Sequence, residues 1–169
     1  EKWVTSQLSQ NKVIKMLKSI EGNFDNSKVH DLLVKHFIEL RSVSPQGSAH
    51  VLDISGLKDA SIKFWSLWDE DELIGSGALK FIDKGHGEFK SIRVNDKFRN
   101  KGNGQKVINH LINEAKKLDI KKLSLETGAG KFFTPARKLF IKSGFKTCNP
   151  FSHYKEDINS VYMSMLISN

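Results

Sequence analysis

Ser91-Ile92-Arg93-Val94-Asn95-Asp96-Lys97-Phe98-Arg99-Asn100-Lys101-Gly102-Asn103-Gly104-Gln105 is the stretch on which the reading of this chain turns. An alternating apolar run passes into a loop, and the loop opens a strongly periodic helix. Gly102 and Gly104 let backbone approach a ligand with no Cβ in the way. The unpaired N–H groups at a helix start, with the helix dipole behind them, form a site for an anion. Lys97, Arg99 and Lys101 add positive charge at the same place. The phosphate loop GxxxxGK[ST] is missing. The dinucleotide pattern GxGxxG is also missing, because Gly102-Asn103-Gly104 continues as Gln105-Lys106-Val107. What remains is Arg-x-x-Gly-x-Gly over 99–104, placed between a strand and a helix.

Working outward, Val107, Ile108, Leu111, Ile112, Ala115 and Leu118 mark one face of that helix. Upstream, Glu88 to Val94 reads as a strand. Simple alternation puts Glu88, Lys90, Ile92 and Val94 on one face and Phe89, Ser91 and Arg93 on the other. Leu73 to Phe81 and Ile62 to Trp68 are strands joined by an acidic turn at Asp69–Glu72, with Trp65 and Trp68 on opposite faces. A helix runs from an N-cap within Asp25-Asn26-Ser27 to the break at Ser44-Pro45. Met16 to Ile20 is the first strand, and residues 1–15 read as an extension or expression remnant ahead of a domain over 16–169. Downstream, Leu123 to Thr127 is a strand, and Thr134-Pro135 opens a helix that Gly144 closes. Val161 to Ile167 is the last strand. An antiparallel run followed by alternating strands and helices predicts an α/β (α+β) domain. Its mixed, mostly antiparallel central sheet carries helices on both faces.

Composition narrows the function. The chain has 169 residues, enough for one core, and 38% of them are hydrophobic. No apolar run approaches the roughly 18 residues that span a bilayer. The single cysteine, Cys148, excludes an internal disulfide framework and a cysteine-based zinc site. The six histidines show no metal-ligand spacing, so no metal is expected. A cytoplasmic protein without a membrane partner is the expectation. The net charge of +8 favours an anionic partner. Nucleic acid is not expected, because no reader motif is present and the basic residues concentrate at the glycine loop.

Arg99, Gly102 and Gly104 match the signature [Arg/Gln]-x-x-Gly-x-[Gly/Ala], and Ala136-Arg137-Lys138-Leu139-Phe140 through Gly144-Phe145 matches a late-helix pattern, Ala-x-x-Leu-Tyr-x-x-x-Gly-Phe. In both, in this order, the chain resembles the GNAT N-acetyltransferases. His86–Ser91, Leu123–Gly128 and Pro150–Val161 resemble more narrowly a YsnE/YjgM-like bacterial branch. The resemblance implies the GNAT fold, with two parallel strands splayed apart. It implies acetyl-CoA as donor, an amine acceptor, and a homodimer as one arrangement open to the chain. The diphosphate would lie on Arg99, Asn100, Lys101, Gly102, Asn103, Gly104 and Gln105. The pantetheine arm would run between Ile92-Arg93-Val94 and Glu126-Thr127, against Phe133, Ala136 and Phe140.

The reaction implied is transfer of acetyl to a primary amine, in first place that of a small molecule, by direct attack in a ternary complex. A lysine-like amine, with a pKa of about 10.4, arrives protonated and has to lose that proton. Glu88 matches the position of the family's glutamate base, and Glu126 is the second candidate; a structural ion pair is the alternative for each. A backbone N–H near Ile92–Val94 is the implied oxyanion donor. The family's tyrosine acid is replaced here by Phe140, which has no hydroxyl. Tyr154 is a substitute acid or an aromatic packed under the C-terminal loop. Phe133 stands where many relatives carry asparagine. The competing functions are an acyl-CoA-binding sensor without turnover, and acetylation of protein lysines or N-termini.

Overall fold

The computed structural model describes residues 17–168. The expected extension over 1–15, and Met16 of the first expected strand, lie outside them. Among the described residues, seven strands form one sheet: β1 Lys18–Glu21, β2 Ile62–Asp69, β3 Glu72–Asp83, β4 His86–Val94, β5 Lys122–Gly128, β6 Lys146–Cys148 and β7 Ser160–Leu166. Their order across the sheet is β1-β2-β3-β4-β5-β7-β6. Only β4 and β5 pair in parallel. The α-helices are α1 Ser27–Val43, α2 Ile54–Leu57, α3 Asn103–Lys117 and α4 Thr134–Lys142. The mixed sheet with helices on both faces is the architecture expected. Short β6 and one-turn α2 were not. Among the described residues, no helix is long and apolar enough to cross a membrane.

Local chemistry sets the helix bounds. The Asn26 side chain accepts from Lys28 N and Val29 N at 2.9 and 3.3 Å, capping α1. Pro45 follows its last turn, where the ring excludes further helix. Thr134-Pro135 opens α4, where a missing N–H costs nothing.

Each sheet face has its own core. Val29, Leu32 and Leu33 of α1 and Leu57 of α2 pack on Phe64, Trp68 and Ala78. On the other face Val107, Ile108 and Leu111 of α3 and Phe140 of α4 pack on Trp65, Leu79, Phe89 and Leu125. Trp65 and Trp68 thus divide between the faces as expected. α3 lies close because β3 carries glycine beneath it: a Cβ on Gly77 would stand 2.8 Å from Leu111 Cδ1 and 3.2 Å from Val107 Cγ1. Gly77→Val is therefore expected to lower stability by about 1–3 kcal/mol, read as a lower urea midpoint, as overpacking lifts α3 from the sheet.

One expectation fails at β4. Ser76 pairs with Arg93 and Ala78 with Lys90, so β4 holds one residue more than β3 across this span. That extra residue makes a β-bulge, and Ser91 adopts φ 52° within it. The bulge reverses the alternation. Phe89, Ile92 and Val94 face the α3 core, whereas Glu88, Lys90 and Arg93 face α1. Glu88 therefore does not share a face with Ile92 and Val94.

Candidate active site

β4 and β5 hydrogen-bond only over His86–Lys122, Gly87–Leu123 and Glu88–Ser124. Beyond Glu88 the strands part, and a cavity of about 490 Å³ opens between Phe89–Val94 and Leu125–Gly128. The bulge at Ser91 drives the separation, since a strand that bends at an extra residue leaves its neighbour's ladder. α3 closes one end of the opening. Its N-cap is Gly102 at φ 80°, which offers no side chain to cap the first turn. The helix mouth therefore points main-chain N–H groups and the positive end of its dipole at the cavity. Asn103 turns its side chain away, donating to the Phe98 carbonyl at 2.9 Å.

The far wall comes from the turn between β5 and α4. Arg137 Nη1 donates to the carbonyls of Gly128 and Gly130 at 2.6 and 2.9 Å, which fixes that turn. Phe133 packs directly against Gly128, where an added Cβ would fall 2.1 Å from the ring. Of the residues expected to hold the cofactor, Ile92, Arg93, Val94, Arg99, Asn100, Gly102, Asn103, Gly104, Gln105, Glu126, Thr127, Phe133, Ala136 and Phe140 all line the cavity. Lys101 does not; its ammonium sits over the Phe98 ring, 5.9 Å from the centroid. The Arg93 guanidinium turns toward α1, where Nη2 meets Glu39 Oε2 at 2.6 Å and Asp96 Oδ1 at 3.3 Å.

The two candidate catalytic residues meet, but behind the cavity wall. Tyr154 Oη donates to Glu88 Oε1 at 2.5 Å, and Glu88 is 1% exposed. Neither residue lines the opening; Lys90 does. Its Nζ donates to Tyr154 Oη at 2.8 Å and to the His50 carbonyl at 3.3 Å, and lies 3.3 Å from Glu88 Oε1. Burial, then the Glu88 charge, pushes the Tyr154 hydroxyl up, so it keeps its proton and gives the hydrogen bond to Glu88.

Glu126 is the carboxylate that faces the cavity. Burial pushes its carboxyl up to about 7; the Ser160 side chain and then the Lys90 ammonium oppose the rise, and the charges of Glu88 and Asp157 add to it. A carboxylate titrating near neutral pH is matched to taking a proton from an amine. His36, also on the cavity wall, is held down to about 4, by burial first and then by Arg93. It stays neutral under physiological conditions.

Loop residues 48–51 roof the other end. Ser48 Oγ donates to Asp157 Oδ2 at 2.6 Å, and the His50 ring stands edge-on to Tyr154 at 5.1 Å between centroids. Lys90, Ser91 and Phe132 were not anticipated as cavity residues. The bulge at Ser91, beyond which β4 and β5 stay apart, leaves no mark in the residue pattern. The roofing loops come together only in the folded chain.

A helix mouth built for an anion, opening onto a gap between parted parallel strands, defines an acyl-CoA acyltransferase cleft. Residues 27–145 match the profile of the acetyltransferase (GNAT) family. Over 137 residues, 81% of this chain and 91% of the relative, the chain is 44% identical to the N-acetyltransferase YsnE of Bacillus subtilis. It is 35% identical to the N-acetyltransferase YedL of Escherichia coli over 139 residues, 82% of this chain and 87% of the relative. Among solved structures, a Bacillus subtilis acetyltransferase in complex with CoA superposes with a TM-score of 0.67 at 22% identity, covering 90% of this chain and 99% of that one. The chain belongs to the GNAT acetyltransferase family, whose acetyl donor is acetyl-CoA.

Proposed function

We propose that this protein transfers the acetyl group of acetyl-CoA directly to a primary amine of a small molecule, with donor and acceptor bound together. The observation that carries the proposal is the parting of β4 and β5 beyond Glu88, which leaves a polar-ended cavity between a helix mouth and a carboxylate. In this reading the diphosphate lies on main-chain N–H groups over 102–105, with Arg99 and Asn100 beside it. The pantetheine arm runs between Ile92–Val94 and Leu125–Thr127, walled by Phe133, Ala136 and Phe140. A main-chain N–H at the bulge stabilises the oxyanion, an interaction worth about 3 kcal/mol where one donor has been removed elsewhere.

Glu126 takes the proton from the incoming ammonium, and the freed amine attacks the thioester carbonyl. The C–S bond breaks as the tetrahedral adduct collapses, CoA leaves as a thiolate, and the second proton on nitrogen passes to that thiolate or to solvent; a thiol pKa of about 8.5 makes it a fair leaving group without a strong acid. Phe140 at the usual tyrosine position is therefore compatible with turnover. Glu88 and Tyr154 act behind the wall, holding Lys90.

A small acceptor fits better than a protein segment because Ser48 and Asp157 tie two loops together over the acceptor end. Release of CoA thiol, followed against a panel of small amines and lysine peptides, tests this. Turnover with small amines is the expected result. Turnover with peptides alone overturns the acceptor class, and binding of acetyl-CoA with no turnover on any amine favours a sensor.

A further inference from the structure

Lys90 stands on the cleft wall with its side chain largely buried, 10% exposed. Register places it with care. Glu88 is the last residue of β4 to pair with β5, opposite Ser124. Two residues further along each strand come Lys90 and Glu126, on the α1 side of the sheet and across the opening from each other. Both line the cavity. Glu88 lies beneath, 3.3 Å from the Lys90 ammonium, and its second oxygen, Oε2, is buried without a hydrogen-bond partner. One cation thus stands against two carboxylates on neighbouring strands. A hydrophobic residue of equal length would fill the same space, so packing alone does not call for lysine.

We propose that Lys90 is a positioning residue that serves both carboxylates at once: it neutralises Glu88 beneath the wall and keeps Glu126 ionisable as the base in the cleft. The proposal rests on the reading of Glu126 as base given above. Other groups face Glu126 too. Glu88 comes from β4, Asp157 and Tyr154 from the C-terminal loop, and Ser160 and Tyr162, the latter its paired residue, from β7. Of these and Lys90, only Lys90 is a cation. Removing it leaves Glu126 with carboxylates, phenols and the neutral Ser160 hydroxyl but no cation, where it takes up a proton at higher pH. Removing Glu88 has the opposite effect, because a repelling charge goes and Lys90 is left undivided.

The test is the pH profile of kcat/KM for CoA-thiol release, using an amine of pKa about 10 that stays protonated across the acid limb. Four proteins are compared: wild type, Lys90→Met, Glu88→Gln and the double variant. Relative to wild type, Lys90→Met is expected to move the acid limb up by about one pH unit and Glu88→Gln to move it down. The double variant removes both charges together and is expected to return near the wild-type position. If Lys90→Met alone does not fold, the upward shift from Glu88→Gln to the double variant carries the same test. A uniform loss of rate with the limb unmoved would mean that Lys90 only supports the fold, and the proposal would fall. Glu126→Gln separates the two readings. If the limb persists in that variant, Glu126 is not the base; if it disappears there but is indifferent to Lys90, only the role of Lys90 is overturned.

Discussion

Gly102→Glu is expected to give a folded protein that has lost acetyl-CoA binding. Gly102 caps α3 with φ 80°, and a Cβ built there meets nothing within 4 Å. The substitution therefore introduces no clash. Its conformational cost is about 1–2 kcal/mol, the ordinary penalty of a left-handed residue. Its electrostatic cost is larger. A carboxylate about 4 Å from a phosphate charge at an effective dielectric near 20 costs about 4 kcal/mol, or a thousandfold in affinity. It would also compete for the α3 N–H groups that the diphosphate needs. Gly102→Ala is the control for backbone strain and is expected to keep most of the affinity. Calorimetric titration with acetyl-CoA reads both. Equal affinity in wild type and Gly102→Glu would mean that the helix mouth does not hold the donor.

Glu126→Gln is expected to lower kcat by about 10²–10⁴, the usual range for loss of a positioned base, with little change in acetyl-CoA affinity. Glutamine keeps the shape and hydrogen-bonding length of the side chain but cannot take a proton. The acid limb near pH 7 is expected to vanish with it. The same change should stabilise the protein above neutral pH. A carboxyl at about 7 in the folded chain ionises near 4.5 when unfolded, so the wild type loses stability as pH rises through that window. Denaturant unfolding at pH 5 and pH 8 checks this: the wild type is expected to weaken between them more than the variant. A kcat within a few-fold of wild type would remove Glu126 from the mechanism.

Much of the fold was legible because its signals are local. The helical spacing from Val29 to Leu40, the cap at Asn26 and the proline at 45 bound α1. Arg99, Gly102 and Gly104 mark the turn into α3, and the structure puts all three on the cavity. What stayed hidden depends on tertiary geometry. A bulge is one added residue, and Lys90-Ser91-Ile92 reads as ordinary strand until its partner β3 is known. Once Ser91 takes positive φ, every side chain after it changes face, so the pairing of Glu88 with Ile92 failed. Glu88 and Lys90 precede the bulge and share a face; Lys90 reaches the cleft wall because β4 and β5 part beyond Glu88, which leaves Glu88 behind it. Tyr154 lies 66 residues from Glu88 in sequence, and only the packed C-terminal loop brings its hydroxyl there. β6 has only three residues, too few for a period, and exists because β7 offers it an edge.

The central claim is that the gap between β4 and β5 receives acetyl-CoA and sets its thioester beside Glu126. A crystal structure of the protein soaked with CoA tests it most directly. The diphosphate is expected on the main-chain N–H groups over 102–105, the pantetheine arm between Ile92–Val94 and Leu125–Thr127, and the sulfur on the Glu126 side of the bulge. CoA bound outside the gap, or β4 and β5 hydrogen-bonded together past Glu88 and Ser124, would contradict it.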